Sequence, residues 1–524
     1  GVAGAVCVTR LRQLLHAGSV PVHARIYDMG SRGPGGRASS RPVDGFGGSF
    51  SPKDKGGGEA PTGDTLVFDH GVQAFGISDP SLKVLLAEWV TSGILAEWHG
   101  VFGELDGGTG SFQPCKDQCG DTSFCNILAL KTKLVGMPSM AGFVKGMLND
   151  SLQEPGGSSF KLDNRFCCKV ERVEYKADDT NGSWALTSSD GDVHYCDAVV
   201  CAGHAASFAA GVAGHLPVNV SESEPQGEIL QALRAVSYPD GVAPLYALMV
   251  AFPAPLGKIA PFDAAAVRGS DDLVWISRDS SKPGRHRPDR KELWVAVSSE
   301  QFARKMRARP SWSRRPTEEH LQEVASELLH AFAAVLHTEL PHHVYVHAQR
   351  WAAGLTRAAL GLEPPCVSWP RAGLVACGDW CASSVSVQNA ALSGSAAAEA
   401  VHDIVTAAVA MRSLLIVTTP TAADADSAKA WPAWTCAAWP DPAGRFQESR
   451  WWEVRDGAVE ERCLIIEGRA TLFPDGGGAP LTIRKGDWVV FRKGFSCLWR
   501  VDEKISKHYS YYDPNGQEWK TSST

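Results

Sequence analysis

GVAGAVCVTRLRQLLHAGSVPVHARIYDMGSRGPGGRASSR, residues 1–41, decides the fold. Gly1 and Gly4 stand as the second and third glycines of a G-x-G-x-x-G turn. Behind them the apolar positions Val6, Leu11, Leu14 and Leu15 predict a helix. The run HARIYD then predicts a short strand ending in Asp28. In this order the parts suit a dinucleotide. Bare glycine backbone can approach a pyrophosphate at the positive end of a helix, and a carboxylate at the tip of the next strand accepts from ribose hydroxyls. On this reading the first strand of the motif lies upstream of Gly1, along with any targeting segment.

The second glycine turn, RGPGGRASSR, brings Gly35, Gly36 and Arg37 directly after Asp28. Such a turn belongs to FAD proteins more than to NAD dehydrogenases, so FAD is the expected cofactor. Composition bounds the rest. A chain of 524 residues is too long for one core, and its 44% apolar and 21% charged residues describe a folded globular protein. With 51 basic against 58 acidic residues there is no basic field for nucleic acid or an anionic membrane. No uncharged apolar run reaches the ~18 residues of a membrane span. The nearest, IVTAAVAMRSLLIV from Ile404, carries Arg412. Fourteen cysteines scattered among apolar neighbours read as buried thiols of a reducing compartment, cytoplasmic or plastid.

Residues 42–64 carry no period of 2 or 3.6 and read as a surface insertion. Cys115, Cys119 and Cys125 lack a fourth partner at zinc spacing and read as loop thiols. Residues 160–203 alternate as strands, with turns at Asn181-Gly182 and Asp190-Gly191, and close on the apolar run DAVVCAG. LYALMVAF, DLVWIS and ELWVAVS predict strands, and residues 318–340 a helix capped by Thr317. GLVACGDWC predicts a strand ending near Asp379, before an alanine-rich helix. TPTAADADSAK (419–429) is small and polar, and 412–428 reads as a linker. Beyond it the pattern is all-β.

RGPGGRASSR, together with FDHGVQAF (68–75), SSKPGR (280–285), QRW (349–351) and CGDWC (377–381), resembles the renalase-type flavoproteins within the wider flavin amine oxidase group. ERCLIIEGRATL, IRKGDWVVFRKGFSCLWRV and SKHYSYYD resemble the small plant-type cupins related to the ureidoglycine aminohydrolase cupin domain. The expected architecture is therefore an α/β FAD-binding Rossmann-type domain with an α+β substrate domain, followed by an all-β cupin barrel. The oxidoreductase would occupy 1–411, with FAD-binding parts at 1–75, 135–210 and 370–411 and a substrate domain at 76–134 and 240–355. A linker at 412–428 would lead to the cupin at 429–524.

The resemblance implies noncovalent FAD held by Gly1, Gly4, Asp28, Gly35, Gly36, Arg37 and Asp379, and it places His70, Gln73 and Trp351 near the flavin face. Asp379 suits ribityl hydroxyls, or is simply a helix cap; His70 and Trp351 likewise have plain structural alternatives. Hydride transfer to a flavin needs no protein nucleophile, and no triad stands out. The expected donor is a small reduced ring compound, a reduced nicotinamide isomer or an amine, with oxygen as acceptor. An FAD-containing binding or sensing protein and a flavin monooxygenase are the competing readings. In the cupin only Glu461 survives of four metal-ligand positions. Arg455, Gly457 and Cys497 stand where histidines belong, and His508 lies outside the pattern, so no metal is expected.

Overall fold

The computed structural model describes residues 1–16, 20–30, 33–44, 65–115, 125–150, 160–175, 184–203, 206–213, 226–237, 240–436, 458–474 and 481–519. Residues 45–64 of the insertion, Cys119, the Asn181-Gly182 turn, Arg455 and Gly457 lie outside these residues, while the insertion's first residues belong to the strand Arg41–Val43, paired with Leu66–Phe68.

The opening helix spans Val2–His16, and the next strand, Val22–Asp28, pairs in parallel with Phe160–Phe166. A second parallel pair joins Val199–Ala202 to Leu374–Cys377, and Val367–Trp369 adds an antiparallel edge. Among the described residues the expected parallel sheet is thus present as two separate pieces. The long helix Val387–Leu414 lies along the opening helix. The approach is so close that a Cβ on Gly394 would stand 2.3 Å from the Ala3 carbonyl oxygen. Only glycine permits that packing.

Over this part lies a seven-stranded sheet in the order Tyr345–Thr356, Val242–Phe252, Glu292–Ser298, Leu273–Arg278, Ala264–Arg268, Phe102–Asp106, Phe112–Pro114. Strand periodicity explains its two cores. Along Val242–Phe252, Leu245, Ala247, Met249 and Ala251 face the core shared with the opening helix. Tyr246, Leu248, Val250 and Phe252 face the helix Glu318–Val335. Each fully buried Leu, Val or Phe contributes about 1.5–3 kcal/mol. That helix starts as expected, with Thr317 Oγ1 accepting from the His320 amide. Pro138 stands just before the helix Met140–Asp150.

The C-terminal sheet departs from the expected barrel. Its strands run in the order Leu415–Thr418, Trp488–Arg492, Glu460–Pro474, Cys497–Tyr512, Ala433–Cys436, with Leu481–Arg484 also on Glu460–Pro474. Among the described residues the two edge strands do not pair, so the sheet is open. The long strand changes partner at a bulge between Ile465 and Ala470, where Gly468 has φ +79°. A bulge of this kind bends the strand and increases its local twist. Within 412–428, read from sequence as a linker, Leu415–Thr418 joins the C-terminal sheet, and Ala422–Ala428 is a helix held by a Thr421–Asp424 capping box. No helix of the described residues is long and apolar enough to cross a membrane.

Gly394→Leu should separate the two long helices and destabilise the protein by about 1–3 kcal/mol, the cost of overpacking. Thermal unfolding checks this, and an unchanged Tm would contradict it.

Candidate active site

A cavity of about 2200 Å³ lies between the dinucleotide-type part and the seven-stranded sheet. Gly1, Gly4, Asp28, Gly35, Gly36, Arg37, His70, Gln73, Trp351 and Asp379, far apart in the chain, all line it.

Each is held by an identifiable contact. Asp28 ends its strand, and its Oδ1 accepts from the Gly30 amide at 2.7 Å, which turns the chain into the second glycine segment. That segment presents bare backbone. A Cβ on Gly35 would meet the Ala38 carbonyl oxygen at 3.0 Å, and Gly36 has φ +56°. Arg37 Nη2 donates to Asp379 Oδ1 at 2.6 Å, joining the first and last pieces of the dinucleotide-type part. Asp379 is therefore no helix cap: Ser386 Oγ accepts from the Asn389 amide and starts the long helix instead. Ser386, Val387 and Gln388 also line the cavity, so the helix begins at its wall.

On the other side, the His70 and Trp351 rings stack with centroids 5.3 Å apart, and Trp351 Nε1 donates to the His70 carbonyl at 2.8 Å. Gln73 is spent on its own loop. Its Nε2 donates to the Asp69 and Gly71 carbonyls at 2.7 and 2.9 Å, and its Oε1 accepts from Ser277 Oγ at 2.8 Å. Gly71 has no room for a side chain, because a Cβ would overlap the Arg37 carbonyl. Cys381 is buried and does not line the cavity, and burial pushes its thiol up to about 12. A thiol so far from ionisation is a poor nucleophile.

The sequence reading missed a group just beneath this wall. Asp69, Asp279, Lys282 and Arg285 are buried together, linking FDHGVQAF to SSKPGR. Both motifs were legible, but nothing in their spacing says that they meet.

Residues 137–402, just over half of the chain, match the family of flavin containing amine oxidoreductases. The chain belongs to that family. Residues 424–509 match the EutQ-like cupin domain. Among solved structures, cyclohexylamine oxidase from Brevibacterium oxydans IH-35A is 11% identical, covering 77% of this chain and 97% of its own, with a TM-score of 0.44. Putrescine oxidase, solved with putrescine bound, is 11% identical, covering 76% and 96%, with a TM-score of 0.45. A DUF861 family protein from Thermotoga maritima is 29% identical, covering 19% of this chain and 99% of its own, with a TM-score of 0.16. The assignment rests on the family match, not on these likenesses. As a flavin-containing amine oxidoreductase the protein is an FAD-dependent enzyme. The glycine turns and the cavity they line fit that cofactor.

In the cupin, Glu461 is fully buried and accepts from Lys507 Nζ at 2.9 Å. The ammonium is ringed by Trp434, Phe491, Trp499 and Tyr509, with centroids 5.3–5.6 Å away. Cys497 is buried in the apolar core, and His508 Nδ1 contacts the Trp431 carbonyl at 3.0 Å. Among the described residues no group of three His, Cys, Asp or Glu is placed to hold a metal. Burial pushes the Glu461 carboxyl above its usual range, against the pull of Lys507.

Lys507→Met should therefore cost about 3–5 kcal/mol, because it leaves a buried charge uncompensated. The sign with pH follows. A carboxyl whose folded value is raised adds stability below its unfolded value and loses it as pH rises through the folded one. Without Lys507 the value rises further, so the variant should unfold more readily at pH 8 than at pH 5. Adding Glu461→Gln should remove that pH dependence. Denaturant titrations at both pH values test the pair.

Proposed function

We propose that the protein is a renalase-like FAD oxidoreductase taking a hydride from a small reduced nicotinamide, with oxygen as acceptor. Residues 1–411 would form the oxidoreductase and 429–524 a cupin of non-metal type. The observation that carries this reading is the convergence of the two glycine turns, Asp28, Arg37, Asp379, His70 and Trp351 on one cavity.

Gly1, Gly4, Gly35 and Gly36 would hold the pyrophosphate, Asp28 the ribose and Asp379 the ribityl chain, with Arg37 fixing the Asp379 carboxylate. Bound there, FAD supplies a two-electron acceptor. The chain's own contribution is orientation and exclusion of water. The His70–Trp351 stack forms one wall for the donor ring, and Gln73 keeps the loop beneath it in shape. Amides at the start of the long helix face the cavity with partial positive charge, which favours negative charge developing near them.

The lining also bears on the donor. Among the described residues, the cavity's carboxylates are Asp28, Asp197 and Asp379, all from the dinucleotide-type part. The substrate part contributes Lys131 and no carboxylate, and Arg357 lies just past its last strand. A cationic amine would find no counter-charge in the substrate part, whereas a phosphate-bearing nicotinamide would find Lys131, the Arg357 guanidinium being paired with Glu300. This favours the nicotinamide over the amine within the reading.

Asp28→Ala and Asp379→Ala should each weaken FAD binding by about 1.5–3 kcal/mol through loss of a charge-assisted acceptor. FAD should leave the wild-type protein on acid precipitation. Flavin retained in the pellet would overturn the noncovalent reading.

The functional test is anaerobic titration of the FAD-loaded protein with reduced nicotinamide isomers beside a series of primary amines. Bleaching by a nicotinamide, with peroxide formed when air is admitted, is the expected result. Bleaching by amines alone would reassign the donor, and no bleaching by either would favour a binding or sensing protein.

A further inference from the structure

Four charged side chains lie where water does not reach, in a protein whose other ion pairs are mostly at the surface. The side chains of Asp69, Asp279 and Lys282 are fully buried and that of Arg285 is 6% exposed. Lys282 Nζ lies 3.1 Å from Asp69 Oδ2 and 2.5 Å from Asp279 Oδ1. Arg285 Nη2 lies 2.6 Å from Asp69 Oδ2, and its Nη1 3.4 Å from Asp279 Oδ2. With both carboxyls ionised, two carboxylates and two cations leave the group neutral, the condition under which buried charge is tolerated, although burial pushes the Asp279 carboxyl up against the pull of Lys282. Burial opposes ionisation of Asp69, but Arg285 and Lys282 overcome it and hold the carboxyl well below the usual range.

Asp69 has further ties on its other side. Its Oδ1 accepts from Ser40 Oγ at 2.6 Å and from the Met140 amide at 3.0 Å, and its own amide donates to Asp279 Oδ2 at 2.5 Å. Arg285 Nε donates to the Pro138 carbonyl at 3.1 Å, and Lys282 Nζ stands 5.4 Å from the Trp98 ring centroid. One carboxylate thus joins the ends of three segments, around residues 40, 138–140 and 279–285. None of the four charged residues lines the cavity. The residues that follow Asp69 do: His70 stacks on Trp351, Gly71 sits against the Arg37 carbonyl, and the Val72 amide donates to that same carbonyl at 2.9 Å.

We propose that Asp69 is a positioning residue, clamped from beneath by Lys282 and Arg285, which sets the 69–73 loop and through it the spacing between the Arg37 turn and the His70–Trp351 wall. SSKPGR then serves this clamp and not the donor. The proposal rests on the reading of the cavity as the flavin site, and its test keeps the two apart.

Asp69→Asn, Asp69→Asn with Lys282→Met, and Lys282→Arg are made in the full chain. Three quantities are read: Tm, amide hydrogen exchange of 69–76 and 349–356 without added cofactor, and the affinity and visible spectrum on titration with FAD. Asp69→Asn should speed exchange at 70–73 by about tenfold or more as the loop opens locally. It should also alter the band shape of bound FAD. The double variant removes one cation with the lost anion, so it should regain Tm. It should keep the fast exchange and the altered spectrum, because a carboxamide nitrogen in place of the Asp69 Oδ2 cannot accept from Arg285. Lys282→Arg, which keeps the charge and moves the donors, should fold and show the same rise in exchange, and it decides the matter if Asp69→Asn does not fold. Wild-type exchange and spectrum in the double variant would make the cluster purely structural and overturn the proposal. So would a variant in which Tm alone moves. A wild-type protein that takes up no FAD would sink the site reading instead, while the exchange data still decide the clamp.

Discussion

Burial of Val242–Phe252 on both faces is the constraint from which the rest of the oxidoreductase part follows. A strand with one wet face could alternate apolar and polar residues. This one cannot, because Tyr246, Leu248, Val250 and Phe252 need the helix Glu318–Val335 while Leu245, Ala247, Met249 and Ala251 need the opposite layer. The second requirement draws the dinucleotide-type part against the sheet, and the space left between them is the cavity. Leu245 belongs to both the core and the cavity lining, so the same packing that stabilises the fold shapes the site.

Charge is used differently on the two sides of that space. Arg37 and Asp379 meet at the cavity wall, where each remains available to a bound group. Asp69, Asp279, Lys282 and Arg285 are spent wholly on one another behind the wall. A neutral buried cluster of this kind adds little net stability over an apolar filling, and what it provides is a specific geometry. Directional bonds to Ser40, Met140 and Pro138 supply that geometry here, which an apolar filling would not.

The cupin repeats the theme with a single pair. Glu461 faces a cation, and that cation is the Lys507 ammonium within a shell of aromatic rings. The helix that begins at the cavity wall runs on to Leu414, which packs on the cupin core, and Arg492 donates to the Ser413 carbonyl at 3.2 Å.

Local sequence determined the parts whose reasons are local. The glycines, the Asp28 strand tip, the Thr317 cap and the apolar periods of the strands each follow from backbone sterics or from the repeat of one element, and the structure has them where the pattern says. The candidate glycines, Asp28 and Asp379 stood out in the same way, as motifs of bare backbone and carboxylates, whereas His70, Gln73 and Trp351 came only from the family resemblance; all of them line one cavity. Tertiary structure alone decided what depends on residues distant in the chain. Arg37 meets Asp379 across 342 positions, and Asp69 meets Lys282 across 213. The 412–428 stretch, whose small polar second half suits a linker, folds because Leu415 and Ala428 find apolar cores to enter. The bulge at Gly468, which bends the long strand of the cupin sheet where period-2 alternation alone would carry it straight on, is likewise seen only in the register of its neighbours. A period records which face of an element is apolar; which partner covers that face is settled only when the chain closes on itself.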